Sequence, residues 1–160
     1  MSLSERYYRC FFTGHRFLKN RDEIAIGIKN EVERLIKEQN VKEFITGGAI
    51  GFDMLAARVI LRLKEIYDIR LKIYVPCIDH DIKWSEADRR MWRTVSEQAD
   101  EVIYITDVPY TQGCMHARNR AMVNDAHFGI AYYNRPGSGT GVTLRFAKEM
   151  NCDVVNLFEI

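Results

Sequence analysis

The sequence lacks any long apolar run. No stretch approaches the roughly 20 apolar residues that a membrane-spanning helix requires, and the first ten residues, MSLSERYYRC, contain no apolar core of the secretory type. These absences predict a cytoplasmic protein with no membrane partner. We expect one domain over residues 1–160, in which residues 1–6 form a flexible N-terminus that carries residues left over from cloning.

The sequence lacks closely spaced cysteine pairs, and its charge is balanced. The four cysteines, Cys10, Cys77, Cys114 and Cys152, form no C-x-x-C pair, so the sequence favours free thiols over a zinc site. We therefore expect no metal and no cofactor. The formal net charge is +1, so no overall field attracts nucleic acid or an anionic membrane, and nucleic acid is not the expected partner.

Two families of catalytic signature are also missing. The glycine-rich stretch TGGAIGFD, residues 46–53, carries no Walker lysine, which argues against a P-loop nucleoside triphosphatase. No G-x-S-x-G or Ser-His-Asp arrangement points to a serine hydrolase.

Short apolar runs alternate with longer amphipathic stretches. Ile24, Ile28, Val32 and Leu35 recur at helical spacing, for example, ahead of the apolar run EFIT. Apolar runs of this kind are typical of strands that are buried on both faces of a parallel sheet. The pattern predicts an α/β fold, a three-layer Rossmann-like parallel sheet flanked by helices on both faces. The predicted strands are YYRCFFTG, EFIT, LKIYVP, EVIYIT, FGIAYY and DVVNL.

The polar and glycine-rich segments follow the predicted strands. In open parallel sheets, ligands bind beyond the carboxyl ends of the strands, where the strand order reverses. The sequence therefore predicts a ligand site at that edge. The segments concerned are TGHR, TGGAIGFD, PCIDHDIKW, TDVPYTQGCMHARNR and NRPGSGTG.

Each of these segments has a structural and a functional interpretation. TGGAIGFD is either a strand-to-helix corner that needs positive φ or a phosphate cradle on a helix N-terminus. Asp53 either favours the helix dipole or binds a ribose hydroxyl or a backbone amide. His15 and Arg16 lie either in a solvated loop or on an anion, and the hydroxyls of Ser138 and Thr140 either cap a helix or donate to phosphate.

Further along the chain, MHARNR places two arginines on different faces of one helix. We predict that Arg118 reaches the cleft and that Arg120 makes a structural ion pair. Trp84 is expected either to stack on a base or to pack over the core. The tyrosines in or beside the apolar runs are expected to lie in strands, in the core: Tyr7, Tyr8, Tyr104, Tyr132 and Tyr133.

Several of these motifs together resemble a known family. FTGHR, ITGGAIGFDMLAA, KW, RNRAMV and GSGTGVTLRFA, between Phe12 and Ala147, look like the YpsA/YoqJ-like family of small bacterial proteins. That family belongs to a Rossmann-like superfamily with the Lonely Guy (LOG) proteins and the DNA-processing protein DprA. The resemblance implies a nucleotide-derived ligand and, by analogy with LOG, a homodimer.

LOG enzymes are phosphoribohydrolases with the patterns M-H-x-R-K and P-G-G-x-G-T-x-x-E. This chain is similar at Met115, His116 and Arg118, the last matching a catalytic arginine, whereas Asn119 replaces the lysine. The second pattern matches at Pro136, Gly137, Gly139 and Thr140. Thr143 stands where LOG has glutamate and cannot act as a general base; Glu149, further along the helix, is not expected to substitute.

Three functions follow from these residues and the resemblance. The first is a sensor or regulatory module for a nucleotide or a nucleotide-derived ligand, such as an ADP-ribose-like molecule, a dinucleotide or a nucleoside phosphate. The second is an N-glycosidic hydrolase in which Arg118 acts with Asp53 or Asp125, and the third is a DprA-like protein that binds single-stranded nucleic acid. The predicted ligand-binding residues are Gly14, His15, Arg16, Gly47, Gly48, Ala49, Gly51, Asp53, Trp84, Arg118, Asn119, Gly137, Ser138, Gly139 and Thr140.

Overall fold

The computed structural model describes residues 3–135 and 138–159. A 3-10 helix over Leu3–Tyr8 precedes β1, and strands then alternate with helices. The strands are β1 (Arg9–Gly14), β2 (Glu43–Thr46), β3 (Arg70–Val75), β4 (Glu101–Tyr104), β5 (Phe128–Tyr132) and β6 (Asp153–Asn156). The helices are α1 (Arg21–Gln39), α2 (Phe52–Leu63), α3 (Glu86–Gln98), α4 (Cys114–Asp125) and α5 (Gly139–Glu149), with a closing 3-10 turn at Leu157–Glu159.

The six strands form one sheet in the order β4-β3-β2-β1-β5-β6, and neighbouring strands run parallel. β1 lies in the middle, where Phe11 pairs with Ile45 of β2 on one side and with Gly129 of β5 on the other. The predicted Rossmann-like α/β fold is confirmed, with a strand near each predicted apolar run.

The core has one cluster on each face of the sheet. Phe12 of β1 packs with α1, α2 and α3, whereas its neighbour Phe11 packs with α4 and α5. Successive residues of a strand point to opposite faces, so one continuous apolar run supplies both clusters. This arrangement gives the three layers of the fold.

Three of the tyrosines that we expected in the core are exposed. Tyr7 and Tyr8 belong to the N-terminal 3-10 helix rather than to β1, and Tyr104 lies on edge strand β4. Their apolar rings suggested burial, but residues before a strand and on a sheet edge have fewer neighbours to cover them. Arg6 of the same 3-10 helix donates to the carbonyl oxygens of Val123 and Ala126. The flexibility of residues 1–6 stays a prediction.

The strand order reverses between β1 and β5. The chain leaves β1 toward β2, β3 and β4 on one side, and returns to place β5 and β6 on the other. Two loops that start at adjacent strands therefore diverge and leave a crevice between them. The predicted ligand segments TGHR and NRPGSGTG follow these two strands.

Within this edge, the loop after β1 contacts the loop before α2 through their backbones. The Phe52 N–H donates to the carbonyl oxygen of His15 at 3.0 Å. Gly51 has a φ of 83°, and a Cβ atom at this position would overlap the backbone of Arg16. Both the left-handed conformation and the close approach of the two loops require glycine at position 51.

Alanine substitutions at three glycines distinguish the cost of positive φ from the cost of steric overlap with Arg16. Gly51→Ala adds a contact with Arg16 to the strain of positive φ, so we expect the free energy of unfolding to fall by at least about 2 kcal/mol. Gly113 has a φ of 84° but open space around it, so Gly113→Ala should cost about 1 kcal/mol. Gly139→Ala, which has neither problem, should stay within about 0.5 kcal/mol.

Urea unfolding of the three variants measures the series. Equal losses of stability for Gly51→Ala and Gly113→Ala would mean that the overlap with the Arg16 backbone adds nothing to the destabilisation.

Candidate functional site

A cleft of about 510 Å³ opens at the carboxyl edge of the sheet, between the loops that follow β1 and β5. The first turns of α2, α4 and α5 also reach it, through Asp53, Met115 and Thr140 respectively. Helix N-termini carry partial positive charge and free N–H groups. The backbone at these three helix N-termini therefore contributes positive electrostatic potential to the cleft, in addition to any charged side chains.

Arg118 is the buried cation of this site. Its side chain is 5% exposed, and Nη1 donates to the carbonyl oxygens of Gly47 and Tyr74. Nε donates to Oδ1 of Asn119 at 2.7 Å. Burial lowers the pKa of the Arg118 guanidinium, and the nearby Asp53 carboxylate opposes that effect. The guanidinium thus joins α4 to the loop after β2 beneath the cleft.

Asp53 faces Arg118 across Gly47. A Cβ atom at position 47 would lie 2.6 Å from Oδ2 of Asp53 and 2.8 Å from Cζ of Arg118, so only glycine leaves room for both side chains. The Ala49 N–H donates to Oδ2 of Asp53 at 3.4 Å. Burial raises the pKa of Asp53 from 3.8 to about 6, although Arg118 and the Ala49 amide both favour the charged form.

His15 joins the two loops that form the cleft walls. Its ring is 5% exposed, and Nε2 accepts from the backbone N–H of Asn134 at 3.1 Å. Burial and the positive charge of Arg135 lower the pKa of His15, so the ring is neutral near pH 7 and can accept that bond. His15 thereby fixes the loop after β5 against the end of β1.

The start of α5 forms the opposite wall of the cleft. Ser138 is the N-cap of α5, and its hydroxyl accepts from the Gly141 N–H at 3.4 Å. The hydroxyl thus caps the helix, and its contact with phosphate stays a prediction. Thr140 is buried and lines the cleft. Two residues of the predicted loop, Pro136 and Gly137, lie outside the described residues.

The structure brings most of the predicted site residues to one cleft. Three predicted glycines instead lie behind its wall, where Gly47 accepts from Arg118, Gly48 packs near Trp92 and Gly51 contacts Arg16. Trp84 packs against the core and lines a neighbouring pocket. The predicted residues that line the cleft are Gly14, His15, Arg16, Ala49, Asp53, Arg118, Asn119, Ser138, Gly139 and Thr140.

Sequence reasoning missed three prominent lining residues. Arg135 follows β5 directly and lines the cleft, a position that the sheet-edge argument could have assigned from the sequence. Met115 and Met122 also line it. They lie three residues before and four residues after Arg118, so helical spacing places all three side chains on one face.

The α4–α5 groove, defined by His116, Arg120, Thr143, Phe146 and Glu149, lies beside the cleft. Thr143, which stands at the LOG glutamate position, does not line the cleft. Thr143 is buried in this groove, and its hydroxyl donates to the Gly139 carbonyl oxygen at 3.1 Å. The expected ion pair of Arg120 is also replaced: its guanidinium lies over the Phe146 ring, 4.8 Å from the ring centroid.

Asp125, the other carboxylate that a hydrolase could use, lies at the far end of α4. It follows Arg118 by seven residues, or about 10 Å of helix. Its carboxylate accepts from the Tyr74 hydroxyl. Asp125 therefore belongs to the packing between α4 and β3 and does not reach the cleft.

Charge and geometry together define the chemistry of the cleft. Arg16, Arg118 and Arg135 line it, whereas Asp53 is the only carboxylate among the described lining residues. Guanidinium groups suit bidentate contacts with phosphate or carboxylate oxygens. The molecule is thus a Rossmann-like protein with an arginine-lined cleft at the switch point of its sheet.

Comparisons with known proteins identify the family to which the chain belongs. The model of the YpsA family, described as the YspA SLOG family, matches residues 15–152, so this chain belongs to that family. The SPbeta prophage-derived protein YoqJ of Bacillus subtilis is 31% identical over 131 residues, 74% of this chain and 76% of YoqJ. A UPF0398 protein of Macrococcus caseolyticus is 28% identical over 143 residues, 79% of this chain and 78% of its own length. The family resemblance drawn from the motifs is confirmed.

Two solved structures share the fold. DNA processing protein A (DprA) of Streptococcus pneumoniae matches 91% of this chain with a TM-score of 0.68 at 19% identity. DprA of Helicobacter pylori, whose structure describes a single-stranded DNA binding mode, matches 93% with a TM-score of 0.66 at 17% identity. The chain spans only 48% and 64% of these two proteins. Among the described helices, none is both long and apolar enough to cross a bilayer.

The buried carboxyl group of Asp53 makes stability depend on pH. Because its pKa is about 6 in the folded protein and 3.8 ordinarily, its contribution to the free energy of unfolding is fully present below pH 3.8. That contribution is lost as pH rises through about 6, and the difference between the two pKa values corresponds to about 3 kcal/mol.

Asp53→Asn keeps an oxygen that can accept from the Ala49 N–H and removes the titration. We therefore expect wild type to lose stability relative to Asp53→Asn between pH 4 and pH 7, as measured by urea unfolding at several pH values. Parallel pH profiles for the two proteins would contradict the raised pKa.

Proposed function

We propose that this protein binds the phosphate groups of a nucleotide or a nucleotide-derived ligand in the cleft, as a sensor or regulatory module. The observation that carries the proposal is the convergence of three arginines and three helix N-termini on one cavity at the switch point of the sheet. A cavity of about 510 Å³ has the size of a small-molecule site.

The three arginines have different roles in this proposal. Arg16 and Arg135 are exposed, so they can reach phosphate oxygens at the mouth of the cleft. Arg118 is held by Gly47, Tyr74 and Asn119 and supplies a fixed charge at the floor. Its position is set before the ligand arrives, which lowers the entropic cost of binding.

Binding is preferred to N-glycosidic hydrolysis because two of the three candidate positions supply no carboxylate to the cleft. Thr143 stands at the position of the LOG glutamate, and its hydroxyl is bonded to the Gly139 carbonyl oxygen within α5. A threonine hydroxyl cannot take up a proton from water at neutral pH. Asp125 is bonded to Tyr74 away from the cleft, which leaves Asp53 alone among the hydrolase candidates.

Arg135→Ala tests the cleft without removing a buried charge. A charge-assisted contact contributes about 1.5–3 kcal/mol, so the variant should bind phosphate ligands about tenfold or more weakly than wild type. Arg58→Ala is the matched control, since Arg58 is exposed on α2 and its loss changes the net charge equally.

Isothermal titration calorimetry with nucleoside monophosphates, dinucleotides and ADP-ribose measures both variants. The proposal fails if none of these ligands binds wild type, or if the two variants lose affinity equally.

Single-stranded nucleic acid is the second candidate ligand, favoured by the shared fold with Helicobacter pylori DprA. Each phosphate contact to a single strand contributes a slope of about −0.7 to the dependence of log affinity on log salt. We expect a labelled oligothymidylate to show no such salt-dependent binding in fluorescence anisotropy. Binding with a steep slope that Arg135→Ala makes shallower by about 0.7 would favour the nucleic-acid function instead.

A further inference from the structure

A second pocket of about 490 Å³ adjoins the cleft. We call it the second pocket and define it by Ile50, Asp79, Ile82, Trp84, Ser85 and Tyr110. Arg16 and Met115 line both this pocket and the cleft. The two cavities therefore border the same side chains, and a ligand that contacts Arg16 from one cavity lies next to the other.

The lining of the second pocket differs in character from that of the cleft. Ile82 is 59% exposed and Tyr110 is 61% exposed, so large apolar side chains stand in water at the ligand-binding edge. Trp84 adds a partly buried indole ring. Polar groups of Asp79 and Ser85 lie in the same pocket. Apolar surface with a few polar groups is typical of a site for a small organic group.

Contacts between loops hold this lining in place. The Tyr110 N–H donates to Oδ1 of Asp79 at 2.8 Å, which joins the loop after β4 to the loop after β3. Arg89 of α3 donates to the carbonyl oxygens of Asp81 and Ile82.

The Trp84 side chain is held in a similar way. Its ring meets the His80 ring edge to face at 5.0 Å, and His80 meets Trp92 of the core at 4.7 Å. These ring contacts hold the Trp84 indole in place, and a fixed aromatic face suits a rigid planar partner.

We infer that the second pocket receives the heteroaromatic base of the nucleotide whose phosphate occupies the cleft. This inference rests on the proposed function. A planar base buries its face against Trp84 and Tyr110, while Asp79 and Ser85 can meet the polar edge of the ring. The shared residues Arg16 and Met115 lie where the sugar would pass between the two cavities.

The test compares ligands that share a phosphate but differ in the base. We expect at least one of AMP, GMP, CMP and UMP to bind wild type about tenfold or more tightly than ribose 5-phosphate, in isothermal titration calorimetry. Tyr110→Ala and Trp84→Leu should each weaken binding of that nucleotide several-fold to about tenfold and leave ribose 5-phosphate unchanged. Tyr110 is exposed and its backbone bond to Asp79 is retained, so Tyr110→Ala should keep the fold.

Tyr8→Ala is the matched control, because Tyr8 is also an exposed tyrosine but precedes β1 at the opposite edge of the sheet. If ribose 5-phosphate binds and no nucleotide binds more tightly, the base pocket is wrong and the phosphate cleft stands. The same conclusion follows if Tyr110→Ala weakens nucleotide and ribose 5-phosphate equally. If neither ribose 5-phosphate nor any nucleotide binds wild type, the proposed function itself fails, and the inference fails with it.

Discussion

The buried guanidinium of Arg118 is the interaction on which the ligand edge depends. It links α4 to the carbonyl oxygens of Gly47 and Tyr74, at the ends of β2 and β3. A buried charge is stable only when it is paired and fully hydrogen-bonded. Asn119 supplies a further acceptor and Asp53 supplies the nearby opposite charge. These contacts tie α4, which forms one wall of the cleft, to the ends of β2 and β3.

Glycine makes that arrangement sterically possible. Gly47 leaves the space in which Asp53 and Arg118 approach each other, and Gly51 lets the loop before α2 meet the backbone of Arg16. The stretch ITGGAIGFD therefore acts mainly as a close-packed support for the charged groups of the cleft. Of its residues predicted to bind ligand, Ala49 and Asp53 reach the cavity surface.

Much of the fold was predictable, and the site was predictable in part. The apolar runs and the amphipathic stretches between them gave the order of strands and helices, because burial on two faces leaves a local signature in the sequence. The sheet-edge argument placed Arg16, Asp53 and Arg118 near one another, since parallel strands end at a common edge. The argument did not predict that Thr143 lies in the α4–α5 groove, because the direction of its side chain depends on how α5 is rotated against α4.

The sequence by itself determined the Rossmann-like architecture and the edge at which polar loops gather, because both follow from local periodicity and the geometry of parallel strands. Only the tertiary structure decided which side chains line the cleft. Arg135 faces it, whereas Gly48 packs behind it on Trp92 and Ile73. Those choices depend on contacts between residues far apart in the chain, such as the bond from Asn134 to His15, and no local pattern records them.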